Sequence, residues 1–123
     1  MKAAVLYGRK DIRYDEIEMP VIKKDEILVK VNVTGICGSD IPRVLGDAAH
    51  YYPIVLGHEF SGEVVETGRE VDNVKTGDRI SGAPLLPCHR CDDCMRGHFS
   101  QCKHYSFIGS RVNGSWAEYV KMP

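Results

Sequence analysis

Four of the chain's five cysteines, Cys88, Cys91, Cys94 and Cys102, fall close together, with two, two and seven residues between them. Thiolates this near to one another in sequence can reach a single ion, and four soft ligands complete a tetrahedral shell, the pattern of a closed, structural zinc site. The first three share the spacing of a bacterial ferredoxin motif. That motif places its fourth cysteine three residues on and follows it with proline, whereas here Cys102 comes after seven residues and precedes Lys103. A disulfide framework more often spreads its cysteines to close long loops. A second set has different chemistry: Cys37 lies in the run Gly35-Ile36-Cys37-Gly38-Ser39-Asp40, and His58-Glu59 stands between Gly57 and Gly62. Taken one at a time these are ordinary residues, because a lone thiol is usually a small buried side chain and Ser or Asp before a helix is usually a cap. Together, thiolate, imidazole and carboxylate make a mixed donor set that suits zinc and leaves a fourth position open for water or substrate, as in a catalytic site. Such a site also needs a proton path and an oriented histidine. Ser39 can relay a proton and Asp40 can accept the free ring N–H of His58.

The elements that must position these side chains are mostly strands. Lys2–Tyr7 and Ile12–Ile17 read as a hairpin around Gly8 and Asp11, and Pro20 ends the second run. From Glu26 the alternation predicts a half-buried strand with Ile27, Val29, Val31 and Val33 on one face and Lys30, Asn32 and Thr34 on the other; this strand delivers Cys37. Ser39 or Asp40 then caps a short helix containing Pro42 and closed by Gly46. Tyr51-Tyr52-Pro53 forces extended backbone before Ile54-Val55-Leu56, and Gly57 lets the chain turn so that His58 and Glu59 face Cys37. Gly62–Thr67 reads as a strand, 74–80 as a tight turn into another, and Gly114–Lys121, with the single tryptophan Trp116, as the last. Within a lobe of about 84–105, residues 88–102 have almost no apolar periodicity of their own, so a metal must hold them. The expected fold is mainly β: one domain over 1–123, an irregular β-barrel or sandwich with short helices and an inserted four-cysteine zinc lobe.

Composition narrows the functional classes. With 123 residues, 16 basic against 17 acidic side chains and a formal net charge of -1, the chain can bury a core but presents no nucleic-acid or membrane-surface field. No apolar run is long enough to span a bilayer, and the opening residues do not form a signal peptide. An odd number of clustered cysteines points to a reducing compartment, and the expected location is cytoplasmic.

These motifs carry a resemblance. Gly57-His58-Glu59 followed by Gly62, Gly68 and Val71, together with Cys37-Gly38-Ser39-Asp40 and the four-cysteine lobe, resembles the zinc signature of the medium-chain, zinc-dependent alcohol and polyol dehydrogenases, and the likeness covers all 123 residues. It implies a GroES-like catalytic domain, with Cys37, His58 and Glu59 at the catalytic zinc, Cys88, Cys91, Cys94 and Cys102 at the structural zinc, and Ser39 and Asp40 as relay and support. The runs Asp40-Ile41-Pro42-Arg43, His50-Tyr51-Tyr52-Pro53, Pro84-Leu85-Leu86-Pro87-Cys88 and Phe107-Ile108-Gly109-Ser110-Arg111 are similar to those of the galactitol-1-phosphate and sorbitol-type branch. The implied reaction oxidises a secondary alcohol of a polyol or polyol phosphate, passing hydride to NAD(P).

Family members continue into a Rossmann domain, and no strand followed by Gly-x-Gly-x-x-Gly occurs here. The expectation is therefore an N-terminal piece of a longer enzyme. NAD(P) would belong to the full-length enzyme only, and the piece would be inactive alone and prone to self-association, the full enzyme being a homo-oligomer. Two other classes remain open, a zinc hydrolase and a non-enzymatic zinc-stabilised binding module. Two zinc ions per chain favour the dehydrogenase, and one favours the module.

Overall fold

The computed structural model describes residues 1–123. β1 (Lys2–Gly8) and β2 (Asp11–Glu16) form the antiparallel hairpin, pairing Lys2 with Glu16 and Leu6 with Ile12. Ala3, Val5 and Leu6 are buried, whereas β2 is an edge strand with Tyr14 exposed. The second sheet is built around β3 (Ile27–Thr34). After it comes α1 (Asp40–Leu45), and then β4 (Ile54–Val55), which pairs with the other side of β1. β5 (Phe60–Thr67) pairs with β3, and its period of two is plain: Phe60, Gly62 and Val64 are buried while Ser61 and Glu63 are exposed. A turn closed by Asp78 N–H to the Lys75 carbonyl at 3.0 Å, with Gly77 at φ +92°, leads into β6 (Arg79–Ser81), as the sequence predicts.

The alternation expected along β3 holds only in part. Ile27, Leu28 and Val29 are all buried, and Val33 is 66% exposed. The pairing with β5 slips twice, between Leu28 and Val29 and again between Val31 and Val33, and each slip breaks the simple two-residue period that places a side chain in the core. The cap expectation also needs correction. Ser39 occupies the N-cap position of α1 but makes no capping bond, and the Asp40 carboxylate turns back to accept the Cys37 N–H at 3.0 Å.

The lobe has a two-stranded neck, β7 (Leu85–Leu86) against β8 (Ser106–Phe107), with one helical turn, α2 (Asp92–Met95), and a 3₁₀ turn (Phe99–Gln101) between them. From 87 to 106 the only buried residues are Cys94 and Cys102. The last strand, β9 (Tyr119–Met122), is shorter than expected. Residues 114–118 change partners as they run. Ser115 N–H reaches the Gly57 carbonyl and Trp116 N–H that of Leu56, the Trp116 carbonyl accepts from Ala4, and the Glu118 carbonyl accepts from Val31. A segment that swaps partners at each step forms no single ladder, and here it stitches the two main sheets together.

Strand orders are β2-β1-β4, β6-β5-β3-β9 and β7-β8, and pairing does not join the three sheets into a closed ring. One core cluster contains Ile27, Val29, Phe60, Val64, Ile108 and Val120. Two smaller ones, Ala3-Val5-Val55 and Leu6-Ile54-Leu56, both pack against Trp116. Each fully buried aliphatic side chain contributes about 1.5–3 kcal/mol, so the strands stand on their own core while the lobe has none. No helix is long and apolar enough to cross a membrane.

Candidate metal centres

The four lobe cysteines converge, with all sulfurs within 4.8 Å of one another and no disulfide among them. Cys88 Sγ lies 4.0 Å from Cys94 Sγ, and Cys91 Sγ lies 4.0 Å from Cys102 Sγ. A tetrahedral ion with Zn–S bonds of about 2.3 Å sets its sulfurs about 3.8 Å apart, so the lobe fits zinc almost without adjustment. Its backbone is already arranged for thiolate. The Cys88 N–H donates to Cys102 Sγ at 3.3 Å. Backbone N–H groups of Cys94 and Lys103 pull the Cys91 thiol down to about 6, whereas burial pushes the Cys94 thiol up to about 12. The Cys88 thiol is lowered too, chiefly by the Arg90 N–H.

The second centre is assembled from distant parts of the chain. Cys37 follows the end of β3, and His58 and Glu59 come just before β5; their donor atoms all lie within 4.8 Å of one another. Gly57 makes this possible. Its φ of +91° belongs to the left-handed region, and a Cβ there would overlap Trp116 Cδ1 and meet Ser115 Oγ at 2.8 Å, so a side chain would be both strained and excluded. Gly35 donates to the Glu59 carbonyl at 2.7 Å, and Trp116 Nε1 donates to the Gly35 carbonyl at 3.0 Å, so the two loops are tied to each other and to the 114–118 segment.

Burial grades this centre. His58 is 8% exposed and Asp40 1%, Cys37 is half-buried and Glu59 is exposed. His58 Nδ1 approaches Asp40 Oδ1 at 3.5 Å, and these two are the buried side-chain polar atoms that lack a hydrogen-bond partner. Buried polar atoms without partners are costly, and this pair needs only a short closure to satisfy both. With Nδ1 turned to Asp40, Nε2 is the nitrogen left for an ion. The donor set, one sulfur, one imidazole nitrogen and one carboxylate oxygen beside open solvent, fits zinc with an exchangeable position.

The structure thus brings Cys37, His58, Glu59 and Asp40 together, and separately gathers Cys88, Cys91, Cys94 and Cys102. Ser39 lies in solvent at the start of α1, where Arg43 Nη1 donates to its carbonyl at 2.7 Å and its Oγ at 2.8 Å. Arg43 also stands 3.5 Å from Asp40 Oδ1. Arg43 and Phe107 figure in the sequence only in the runs of the family likeness, with no role at the centre, yet both stand beside it, the Phe107 ring meeting His58 edge-on with centroids 5.6 Å apart. The three-residue helical spacing from Asp40 carries a signal for Arg43; nothing local carries one for Phe107.

A GroES-like β domain bearing an open mixed-donor site and a four-thiolate lobe defines a class. The chain matches the alcohol dehydrogenase GroES-like domain family over residues 23–123 and belongs to it. Galactitol 1-phosphate 5-dehydrogenase of Escherichia coli strain K12 is 50% identical over 121 residues, 98% of this chain and 35% of that protein. D-arabitol-phosphate dehydrogenase of Enterococcus avium is 43% identical over 115 residues, 92% of this chain and 33% of that one. The crystal structure of galactitol-1-phosphate dehydrogenase from Escherichia coli superimposes with a TM-score of 0.96 at 47% identity, covering 99% of this chain and 36% of its own. The chain spans about a third of the length of these curated relatives.

Proposed function

We propose that this chain supplies the metal-binding part of a zinc-dependent dehydrogenase that oxidises a secondary alcohol of a polyol or polyol phosphate, with NAD(P) as the hydride acceptor. The observation that carries the reading is the convergence of Cys37, His58 and Glu59 over a buried Asp40. A binding module held by its lobe would have no use for it. In this reading Cys37, His58 and Glu59 hold one zinc ion, and Cys88, Cys91, Cys94 and Cys102 hold another. Names of relatives that act on phosphorylated polyols support the substrate class.

Zinc held by Cys37, His58 and Glu59 would supply Lewis acidity towards a hydroxyl group at its open position. The chain's own residues do the rest. Cys37 and Glu59 contribute two negative charges that offset a dication, which moderates its pull and suits a reaction run in both directions. Asp40, 3.5 Å from His58 Nδ1, would accept its N–H after a short closure, fixing the tautomer and aiming Nε2. Ser39, solvent-exposed and held by Arg43, passes the substrate's hydroxyl proton towards water. The balance is one secondary alcohol giving a ketone, a proton released through Ser39 and a hydride delivered to the nicotinamide. Five unpaired thiols suit the reducing conditions of the cytoplasm. Exposed Ile12, Tyr14 and Ile36, which line one open face, give the chain a motive to self-associate, which sedimentation over a wide concentration range would register.

Metal analysis of the purified chain tests the core of this. Two ions per chain are expected, and cobalt exchanged into the open centre should give the visible bands of a tetrahedral site with a single thiolate. One ion per chain, confined to the lobe, would leave only the binding module.

A further inference from the structure

A cleft of about 450 Å³ lies between α1 and the β7–β8 neck, lined on its polar side by Arg43, His50, Ser100, Tyr105, Ser110 and Arg111. No carboxylate lines it. We propose that this cleft is a subsite for the phosphate of a phosphorylated substrate whose carbinol sits at the Cys37-His58-Glu59 centre. The inference rests on the dehydrogenase reading above and adds to it the group that selects a polyol phosphate over a free polyol.

Three observations support it. The first is charge. Arg111 has no salt-bridge partner; its guanidinium lies over the Tyr105 ring at 4.4 Å and donates through Nη2 to the Tyr105 hydroxyl at 3.2 Å, so the ring holds it while Nε and Nη1 make no bond within the chain. Arg43 spends Nη1 on Ser39, which leaves Nε and Nη2 without protein partners. Two forks with free N–H groups match the three oxygens of a phosphate monoester, which accept in-plane, charge-assisted bonds. The second is complementarity in small donors, since the hydroxyls of Ser100 and Ser110 share the wall. The third is continuity with the metal centre. Arg43 is 3.5 Å from Asp40, Asp40 is 3.5 Å from His58, and Phe107, which also lines the cleft, packs edge-on against His58. Phe107 and Arg43 therefore border both the cleft and the groups around His58. The dinucleotide's own phosphates share this chemistry, so the test must separate the two sources.

The zinc-loaded chain, labelled with ¹⁵N, is titrated in turn with a hexitol 1-phosphate, the unphosphorylated hexitol, inorganic phosphate and NADH. Amide signals of Phe107 to Arg111 and of α1 should move with the hexitol phosphate and with inorganic phosphate but stay still with the bare hexitol. Arg111→Gln should weaken the hexitol phosphate about tenfold while leaving the two-ion metal content intact. Ser100→Glu, at the exposed rim, puts a negative charge against the same phosphate and should weaken it too, which guards against a neck disturbed by the arginine change. Equal response to hexitol and hexitol phosphate, or undiminished phosphate binding in both variants, overturns the subsite and leaves the dehydrogenase reading standing. If NADH moves the same amides and displaces the hexitol phosphate, the cleft belongs to the cofactor and the proposal is wrong. Loss of the second metal ion in the unsubstituted chain would instead sink the reading beneath it.

Discussion

The two metal centres are built on opposite plans. In the lobe, all four donors come from one continuous stretch, 88–102, and the donors Cys94 and Cys102 are themselves the only buried residues there. At the open centre, the donors come from two loops twenty residues apart, tied together by Gly35, Gly57 and Trp116 and resting on strands with their own hydrophobic core. The lesson is that metal and fold stand in different relations at the two places. The lobe is a loop that an ion folds. The open centre is a fold that an ion visits. Changes to the lobe should therefore alter structure, and changes to the open centre should alter affinity.

The largest effect should come from breaking the closed set. Cys94→Ser removes a ligand that is also half of the lobe's buried interior. Its cost should exceed the 10–100-fold typical of losing a group that only supports a ligand. Metal analysis should show one ion fewer per chain, and hydrogen exchange should show protection lost across 88–102 but kept in β1, β3 and β5. A lobe that stays protected without its ion would collapse the distinction between the two plans.

Next in size is a chemical contrast within the lobe. Backbone N–H groups hold the Cys91 thiol down near 6 and burial holds the Cys94 thiol up near 12, so at pH 7 the first is mostly thiolate and the second is thiol. Only the thiolate attacks an alkylating agent. Because an ion folds the lobe, stripping it should erase this contrast, and brief treatment of the stripped chain with iodoacetamide should label Cys91 and Cys94 at similar rates. Labelling of Cys91 well before Cys94, slowing as the pH falls through about 6, would show that 88–102 keeps its arrangement without the ion and would blur the two plans.

At the open centre, Asp40→Asn keeps the size and removes the charge that faces His58 Nδ1. Affinity for cobalt there should fall by roughly 10–100-fold with the lobe's ion untouched. Competition with a chelator measures both at once, and in the unsubstituted chain the same titration should empty the open centre first. Simultaneous release of the two ions would contradict the independence argued here.

Legibility followed the same divide. The convergence of the lobe's four thiols could be read from spacing alone, because local chain suffices to bring four neighbouring sulfurs together. The open centre needed three separate hints, and even then the residues that make it work were hidden. Gly57 was legible as a turn. That its Cβ would strike Trp116 was not, since the two are far apart in sequence and meet only through the 114–118 segment. The pattern along β3 gave the right strand and the wrong burial for Val33, because a β-bulge shows no composition of its own. Asp40 was expected to accept the ring N–H of His58; the fold sets the two atoms 3.5 Å apart without a hydrogen bond, and the bond its carboxylate does receive, from the Cys37 N–H, has no local signal in the sequence.

The smallest and most discriminating change is Gly35→Ala. Gly35 does not have a left-handed φ, so alanine is conformationally permitted there, and reducing the freedom of the unfolded chain should by itself stabilise the protein by about 0.4–1 kcal/mol. The added Cβ would stand 2.7 Å from Glu59 Oε2 and 3.2 Å from Glu59 Cβ. The first of these is the end of an exposed, flexible side chain and can swing away, while the second asks the backbone for only a few tenths of an ångström. The fold should therefore keep or slightly raise its Tm, the lobe should keep its ion, and the open centre should lose a few-fold in cobalt affinity as the Glu59 oxygen is pushed off the others. Should affinity stay unchanged while a Glu59→Ala comparison also binds normally, Glu59 would not be a ligand and the open centre would rest on Cys37 and His58 alone. A drop in Tm instead would mean that the tie between Gly35 and the Glu59 carbonyl cannot give, and that the two loops are held more rigidly than an ion requires.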